Sequence, residues 1–169
     1  NCADFKGIWA GSDESGKGDF FGPLVVAAVL VDITTAEKLV RLGVRDCKLI
    51  NDKEVLRLAE LIVEAAPINT VLALKPEMYN FRYQQMRADG KNLNHLLSNG
   101  HIAVPAASVL ARAKFLEIMQ ELAEQVGRNE LPKGGSDAAT NCARELLKEL
   151  GRGALERLVK VHFANYKKI

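Results

Sequence analysis

The sequence predicts a single domain of the α/β class, with strands early in the chain and a helical C-terminal part. Short apolar stretches rich in β-branched residues come first, as expected for buried strands. Stretches with apolar residues at helical spacing dominate from residue 106 onward. A length of 169 residues, with 48% hydrophobic and 26% charged residues, suits one domain with a sizeable core.

Three strands are predicted, with ranges 7–12, 23–32 and 68–74. Ile8 and Trp9 supply the bulk of the first strand. The second is almost wholly apolar, which is typical of a strand covered on both faces. A glycine-rich link, 16–22, separates the two. Three strands are few for a sheet that supports as many helices as this chain contains.

Helices are predicted over 36–42, 53–66, 106–126, 138–150 and 154–160, and a further helical stretch begins at Pro76. Side chains that accept hydrogen bonds from backbone N–H groups are the expected N-caps, namely Thr35, Asp52 and Asp137. Residues that break helices are expected at the C-terminal ends, namely Gly43, Pro67 and Gly151. The helix at 106–126 carries one continuous apolar stripe, and Met78, Tyr79 and Tyr83 are candidate buried residues.

Composition excludes several classes of function. A formal net charge of +2 is too small to indicate a nucleic-acid-binding protein by itself, so any basic surface must be local. Cys2, Cys47 and Cys142 are far apart, which argues against a disulfide framework or a zinc site and favours a reducing, cytoplasmic location. No apolar stretch reaches the length of a transmembrane helix. We also expect a monomer without an obligate protein partner.

The segment 11–19 is the most informative part of the sequence, and two interpretations compete for it. The first is a phosphate-binding P-loop, G-x-x-x-x-G-K-[ST]. The match holds as far as Lys17, but Gly18 occupies the position of the magnesium-binding hydroxyl. Asp13 and Glu14 would repel phosphate oxygens, and an apolar strand follows where a P-loop opens a helix. These features argue against the P-loop.

The second interpretation is a carboxylate metal site at the end of a strand. Adjacent residues of a regular strand point to opposite faces, so Asp13 and Glu14 can serve one metal centre only where the strand ends or is distorted. Gly16 and Gly18 supply that break and allow close approach of a ligand to the backbone. Oxygen ligands favour Mg²⁺ or Mn²⁺. A solvated acidic turn is the alternative, and the glycines and the buried strand behind the pair argue against it.

Residues 11–29 resemble the first motif of the ribonuclease HIII family. Type 2 enzymes are similar but usually carry Gly-Arg-Gly, so Lys17 favours type 3. Other blocks that resemble the family follow in the same order: Asp46-Cys47-Lys48, Tyr79-Asn80, Asn92-Leu93-Asn94, Gly100-His101, 106–112, Leu131-Pro132-Lys133-Gly134 and His162-Phe163-Ala164-Asn165. The resemblance therefore spans nearly the whole chain.

The resemblance implies a ribonuclease H-like mixed sheet flanked by helices. It also implies hydrolysis of the RNA strand of RNA/DNA hybrids with two divalent ions, Mg²⁺ or Mn²⁺. Asp13 and Glu14 correspond to the first two catalytic, metal-binding carboxylates. Gly16, Lys17 and Gly18 correspond to the loop that contacts the ribose 2′-hydroxyl, the group that distinguishes RNA from DNA. The other substrate-binding residues implied by the resemblance are Ser15, Lys48, Tyr79, Asn80, Ser108 and Arg112.

The family's third and fourth carboxylates lie in a segment that this sequence lacks. Gly100-His101 is followed directly by Ile102-Ala103-Val104, and several tens of residues expected by analogy are absent. Three explanations stay open. The natural protein contains residues between His101 and Ile102 that this sequence omits, the gene has undergone a deletion, or other carboxylates have taken over, the candidates being Asp46, Asp89 and Glu117. We favour the first, because every flanking block is kept.

Two functions are therefore expected from different classes. The first is a metal-dependent endonuclease acting on RNA/DNA hybrids. The second is a hybrid-binding module whose catalytic site is incomplete. We expect 1–169 to form one catalytic domain without the family's N-terminal substrate-binding domain, because the catalytic motif begins within the first residues.

Overall fold

The computed structural model of the chain describes residues 7–90 and 105–169. Several residues considered above lie outside these ranges, namely Cys2, the blocks at Asn92-Leu93-Asn94 and Gly100-His101, and the junction between His101 and Ile102. The elements are β1 (Trp9–Ser15), β2 (Leu24–Val31), α1 (Ile33–Arg41), α2 (Asp52–Ala65), β3 (Asn69–Leu74), α3 (Pro76–Ala88), α4 (Pro105–Gln125), α5 (Asp137–Leu150) and α6 (Arg152–Glu156). Two 3₁₀ turns occupy Cys47–Leu49 and Ala164–Lys168.

The three predicted strands form one sheet in the order β1-β2-β3. β1 and β2 are antiparallel, with Asp13 opposite Ala27 and Glu14 opposite Val26. Buried residues alternate with partly exposed ones along most of β2, so the face carrying Val25, Ala27 and Val29 is the one that packs into the core. The α/β class is thus confirmed, and β1 stands at one end of the sheet formed by the described residues.

Three helices begin before the residue that the sequence pattern favours. The capping acceptors are Asp32 for α1, Asn51 for α2 and Ser136 for α5, and each accepts the backbone N–H of the residue three positions on. The predicted caps at Thr35, Asp52 and Asp137 were therefore wrong. Each predicted residue lies within the helix itself, because an earlier polar side chain was available at the position whose backbone is still extended.

The last predicted helix was too long. α6 ends at Glu156, and Val159 forms an isolated antiparallel bridge with Phe21 instead of continuing a helix to residue 160. Residues 131–136 form a loop, and Asp89-Gly90 form a turn after α3. Met78 is 49% exposed, so its predicted burial was wrong, whereas Tyr79 is buried. No helix in the described part of the chain is long and apolar enough to cross a membrane.

The described chain divides into two compact units. The first contains 7–15, Val25–Leu72 and 105–114, and the second contains Gly16–Leu24, 73–90 and Phe115–Ile169. Aliphatic side chains of β2, α1 and α2 dominate the buried residues of the first, including Val25, Val29, Leu39, Val55, Leu58 and Ile62. Aromatic side chains are prominent in the second, including Phe20, Phe21, Tyr79 and Phe115. That both units serve one catalytic domain stays a prediction.

Candidate active-site residues

The acidic pair lies in the last residues of β1. Asp13 is half-buried and Glu14 is exposed, and β1 ends at Ser15, one residue beyond the pair. The Asp13 Oδ1 atom accepts the backbone N–H of Glu14 at 2.8 Å. Gly16 follows with φ of +86°, a backbone conformation that favours glycine. The strand therefore does end next to the two carboxylates, as the sequence suggested, although both residues still belong to its paired part.

The described residues alone do not make a complete metal centre. Among residues 7–90 and 105–169, no group of three or more histidine, cysteine, aspartate or glutamate side chains lies close enough to hold a metal ion. Asp13 and Glu14 have the right chemistry for Mg²⁺ or Mn²⁺, but two carboxylates are fewer than a two-ion site needs. Nor do Asp46, Asp89 and Glu117 join such a group. The described residues therefore give no support to the explanation that one of these three carboxylates replaces a missing metal ligand.

The loop after β1 belongs to the second unit. Gly16 and Gly18 in this loop differ in the space available for a side chain. A Cβ atom on Gly16 would lie 2.1 Å from the Pro23 carbonyl oxygen and 2.8 Å from the Phe115 ring, so no side chain fits there. A Cβ atom on Gly18 would meet nothing within 4 Å. Lys17 and Gly18 are exposed at the tip of this loop. Gly16 itself is buried, so only the Lys17-Gly18 part of the Gly-Lys-Gly segment is exposed to a ligand.

Two residues that the sequence did not single out hold this loop within the second unit. The Asp19 carboxylate accepts the Gly134 backbone N–H at 2.6 Å, and the Gly134 carbonyl accepts the Phe20 N–H at 3.0 Å. The Lys160 ammonium donates to the carbonyl oxygens of Asp19 and Gly22. The only signal in the sequence was a lysine between Val159 and Val161, an unusual residue for an apolar segment.

Three predicted substrate-binding residues lie in the first unit. Lys48 is exposed on the Cys47–Leu49 turn. The Ser108 hydroxyl, on α4, accepts the Cys47 backbone N–H at 3.4 Å. Arg112, one turn further along α4, donates to the Asp52 carboxylate at 3.1 Å and 3.3 Å. Ser108 and Arg112 therefore link α4 to the segment that carries Lys48 and to the start of α2.

Tyr79 and Asn80 lie on α3 in the second unit, and both make internal contacts. Tyr79 is 1% exposed, and burial raises the pKa of its hydroxyl. Asn80 donates to the carbonyl oxygens of Glu156 and Val159 and accepts the N–H of Val161. Burial thus disfavours direct substrate contact by the Tyr79 side chain. Asn80 fixes the segment that follows α6, and its contact with substrate stays a prediction.

Comparison with known proteins places the chain in a family. Residues 10–104, more than half of the chain, match the family model described as Ribonuclease HII. The chain is 36% identical to Ribonuclease HIII of Exiguobacterium sibiricum and 33% identical to that of Geobacillus kaustophilus. Each match covers 94% of this chain and 67% of the relative. Ribonuclease HIII of Protochlamydia amoebophila is 32% identical, over 90% of this chain and 65% of the relative.

Solved structures agree with these relatives. Bst-RNase HIII in complex with Mn²⁺ matches 94% of this chain and 68% of its own, with 32% identity and a TM-score of 0.78. Aquifex aeolicus RNase H3 matches 90% of this chain and 71% of its own, with 26% identity and a TM-score of 0.74. The sheet flanked by helices is therefore the ribonuclease H fold of these enzymes.

The alignments also contain more positions than the chain can fill. They run over 202 to 210 residues, whereas the chain has 169 residues and spans about two thirds of each relative. The relatives therefore contain internal residues that have no counterpart here. Taken with the family model, the identities and the folds, these matches show that the chain belongs to the ribonuclease HII family, on its ribonuclease HIII branch.

Proposed function

We propose that this protein is a divalent-metal-dependent endonuclease that hydrolyses the RNA strand of RNA/DNA hybrids. The single observation that supports this most strongly is the acidic pair at the end of β1, followed directly by the Gly-Lys-Gly segment, in which Lys17 and Gly18 are exposed. The manganese complex of Bst-RNase HIII supports divalent metal dependence. Asp13 and Glu14 are the proposed catalytic and metal-binding carboxylates, with two Mg²⁺ or Mn²⁺ ions as the proposed cofactors.

The completing carboxylates are proposed to lie in residues that this sequence lacks between His101 and Ile102. Two observations support this: alignments longer than the chain, and the absence of a third ligand among the described side chains. The intact mass of the protein isolated from its native source tests the proposal. The sequence corresponds to 18.5 kDa, and a mass several kilodaltons higher is expected. A native mass of 18.5 kDa would exclude the missing segment.

Substrate contacts are proposed for both units. The backbone of Gly16, Lys17 and Gly18, with Ser15 beside it, is proposed to contact the ribose 2′-hydroxyl. Lys17 and Gly18 are exposed, and backbone groups can donate to and accept from that hydroxyl. Lys48 is proposed to contact the phosphate backbone, because it is exposed and its charge would attract phosphates in a salt-dependent manner. Ser108 and Arg112 are proposed to assist substrate binding by holding the segment that carries Lys48. Ser108 contacts the Cys47–Leu49 turn, and Arg112 contacts the start of α2.

A second function competes, and a specific observation favours it. Because the described residues contain only two carboxylates of the expected site, the protein as this sequence defines it would bind hybrids without cutting them. We propose that either form works in the cytoplasm as a monomer, consistent with the free thiols of Cys47 and Cys142 in the described structure.

One assay separates the two functions. An end-labelled RNA/DNA hybrid is incubated with the protein and Mn²⁺ or Mg²⁺, with EDTA as the control, and binding is measured in parallel by gel shift. Cleavage that EDTA abolishes supports the endonuclease. Binding of the hybrid without cleavage in either metal supports the binding module. Neither binding nor cleavage would refute both functions.

A further inference from the structure

Lys160 is an unusual residue because its side chain is fully buried in the second unit. Its relative exposure is 0%, and its ammonium nitrogen lies 5.6 Å from the centre of the Tyr79 ring. The same nitrogen donates to the carbonyl oxygen of Asp19 at 2.8 Å and to that of Gly22 at 2.7 Å. The Asp19 carboxylate accepts a hydrogen bond from Gly134 instead. Burying a lysine without a neutralising ion pair is costly, so the position invites a functional explanation.

The Lys160 backbone contacts the same loop. Its N–H donates to the Phe20 carbonyl at 2.9 Å, and the Gly22 N–H donates to the Leu158 carbonyl at 2.9 Å. Phe21 and Val159 form the antiparallel bridge between these two contacts. Main-chain and side-chain bonds together therefore fix the second half of the loop that begins at Gly16.

The side-chain bonds of Lys160 join two points of the loop to a single nitrogen atom, which none of the main-chain bonds does. The Asp19 and Gly22 carbonyls lie three residues apart and converge on one nitrogen, so the chain between them is held in a tight curve. A methionine or leucine would fill the same space but would leave both carbonyls without this donor. Burial lowers the pKa of Lys160 to about 7. The side-chain nitrogen carries N–H donors in its charged and its neutral form, so it can bond to both carbonyl acceptors in either state.

We propose that Lys160 is a positioning residue, which holds the Gly16–Gly22 loop in the shape that presents the Lys17 and Gly18 backbone to the ribose of an RNA strand. This inference rests on the proposed function for the identity of the ligand. The part of the inference that concerns the loop, namely that Lys160 fixes its shape, does not depend on that function. Lys160 contacts no reacting group and acts only through the loop.

The first test compares hybrid preference in three variants. Lys160→Met removes the donor at similar volume, and Lys160→Gln keeps an NH₂ group with a shorter reach. Leu146→Ala is the control, since it disturbs a buried residue of α5 in the same unit. The readout is the affinity for an RNA/DNA hybrid relative to a DNA duplex of the same sequence, with Ca²⁺ replacing Mg²⁺ to slow cleavage. Losing the hydrogen bonds should reduce this preference about tenfold in Lys160→Met, with Lys160→Gln intermediate.

The second test is amide hydrogen exchange in the free protein. The Phe20 and Gly22 amides, which bond to Gly134 and Leu158, should exchange at least about tenfold faster in Lys160→Met than in the wild type. In Leu146→Ala, exchange should increase more for the amides of α5 than for the Phe20 and Gly22 amides. If Lys160→Met does not fold, Lys160→Gln decides both tests.

The outcomes separate the two proposals. A wild type without preference for the hybrid would refute the proposed function, and amide exchange would still decide whether Lys160 fixes the loop. A wild type that prefers the hybrid, together with Lys160 variants that keep both the preference and the loop protection, would overturn the positioning role. A loss of preference equal to that of Leu146→Ala would also overturn it, because general destabilisation would then explain the effect.

Discussion

Gly16 and Gly18 lie two residues apart in the same loop, but the structure gives them different roles. Gly16 has φ of +86° and no room for a Cβ atom, whereas a Cβ atom on Gly18 would meet open space. Gly16→Ala combines backbone strain with overlap and should lower the free energy of unfolding by about 3 kcal/mol. Gly18→Ala should change it by less than about 1 kcal/mol. Urea unfolding of both variants checks this pair.

The same pair of variants probes substrate contact. If the loop backbone approaches the ribose, Gly18→Ala should weaken hybrid binding although the protein stays folded. Equal stability losses in the two variants would contradict the described loop geometry. Unchanged hybrid binding in a folded Gly18→Ala would contradict close approach at that residue.

The pKa of Lys160 predicts a pH dependence of stability. Burial lowers this pKa from 10.5 to about 7, although the charge of Asp19 opposes the shift. Between pH 7 and 10.5 the unfolded chain binds more protons at this residue than the folded protein does. The stabilising contribution is therefore complete above pH 10.5 and is lost as the pH falls to about 7.

A comparison with Lys160→Met isolates this effect. Between pH 7 and 10, the free energy of unfolding of the wild type should rise relative to that of the variant by on the order of a few kcal/mol. His162 faces Lys160, but its lowered pKa places its titration below this range. The raised pKa of Tyr79 places its own effect above pH 10. Parallel pH profiles of the two proteins would show that Lys160 titrates normally.

The sequence identified some residues of the candidate site better than others. Asp13, Glu14 and the Gly-Lys-Gly segment are consecutive, so one motif was enough to find them. Asp19 and Lys160 were missed because their partners are backbone groups more than a hundred residues away in the sequence. Such contacts leave no local pattern. Tyr79 was found by its motif, but only the structure shows that its side chain is buried.

At the scale of elements, the positions of the helices were predicted well, and the capping residues of three of them were not. In α5 the predicted cap was Asp137, and the observed cap is Ser136, whose hydroxyl accepts the Ala139 N–H. Both residues are small and polar, so composition alone could not choose between them. The choice depends on which residue has extended backbone, and Ser136 does, with ψ of 172°.

This difference gives a stability prediction for α5. Ser136→Ala removes the capping acceptor and should lower the free energy of unfolding by about 1 kcal/mol. Asp137→Ala removes only a favourable charge in the first turn, which is worth about 0.5 kcal/mol when exposed. Chemical denaturation of the two variants measures the order. A larger loss of unfolding free energy in Asp137→Ala than in Ser136→Ala would show that Asp137 is the capping residue, as the sequence predicted.

At the scale of the molecule, the shortage of strands noted in the sequence is also a property of the structure. The described sheet has the order β1-β2-β3, so the strand carrying Asp13 and Glu14 stands at an edge. An edge strand has one row of backbone groups available for pairing. The relatives have additional internal residues, and we propose that the further strands and carboxylates of the site belong to the corresponding segment. The class of the fold and the lack of two carboxylates were both predictable from the sequence.

The central claim is that Asp13 and Glu14 are half of a metal-dependent site that cuts RNA/DNA hybrids. The most direct measurement is the rate of hybrid cleavage with Mn²⁺ for the wild type, Asp13→Asn and the matched control Asp137→Asn. Because a lost carboxylate would remove several kcal/mol of charge stabilisation, cleavage by Asp13→Asn should fall at least about 100-fold. Asp137→Asn, at an exposed helix start, should retain the wild-type rate. Cleavage by Asp13→Asn at the wild-type rate would contradict the assignment of the site.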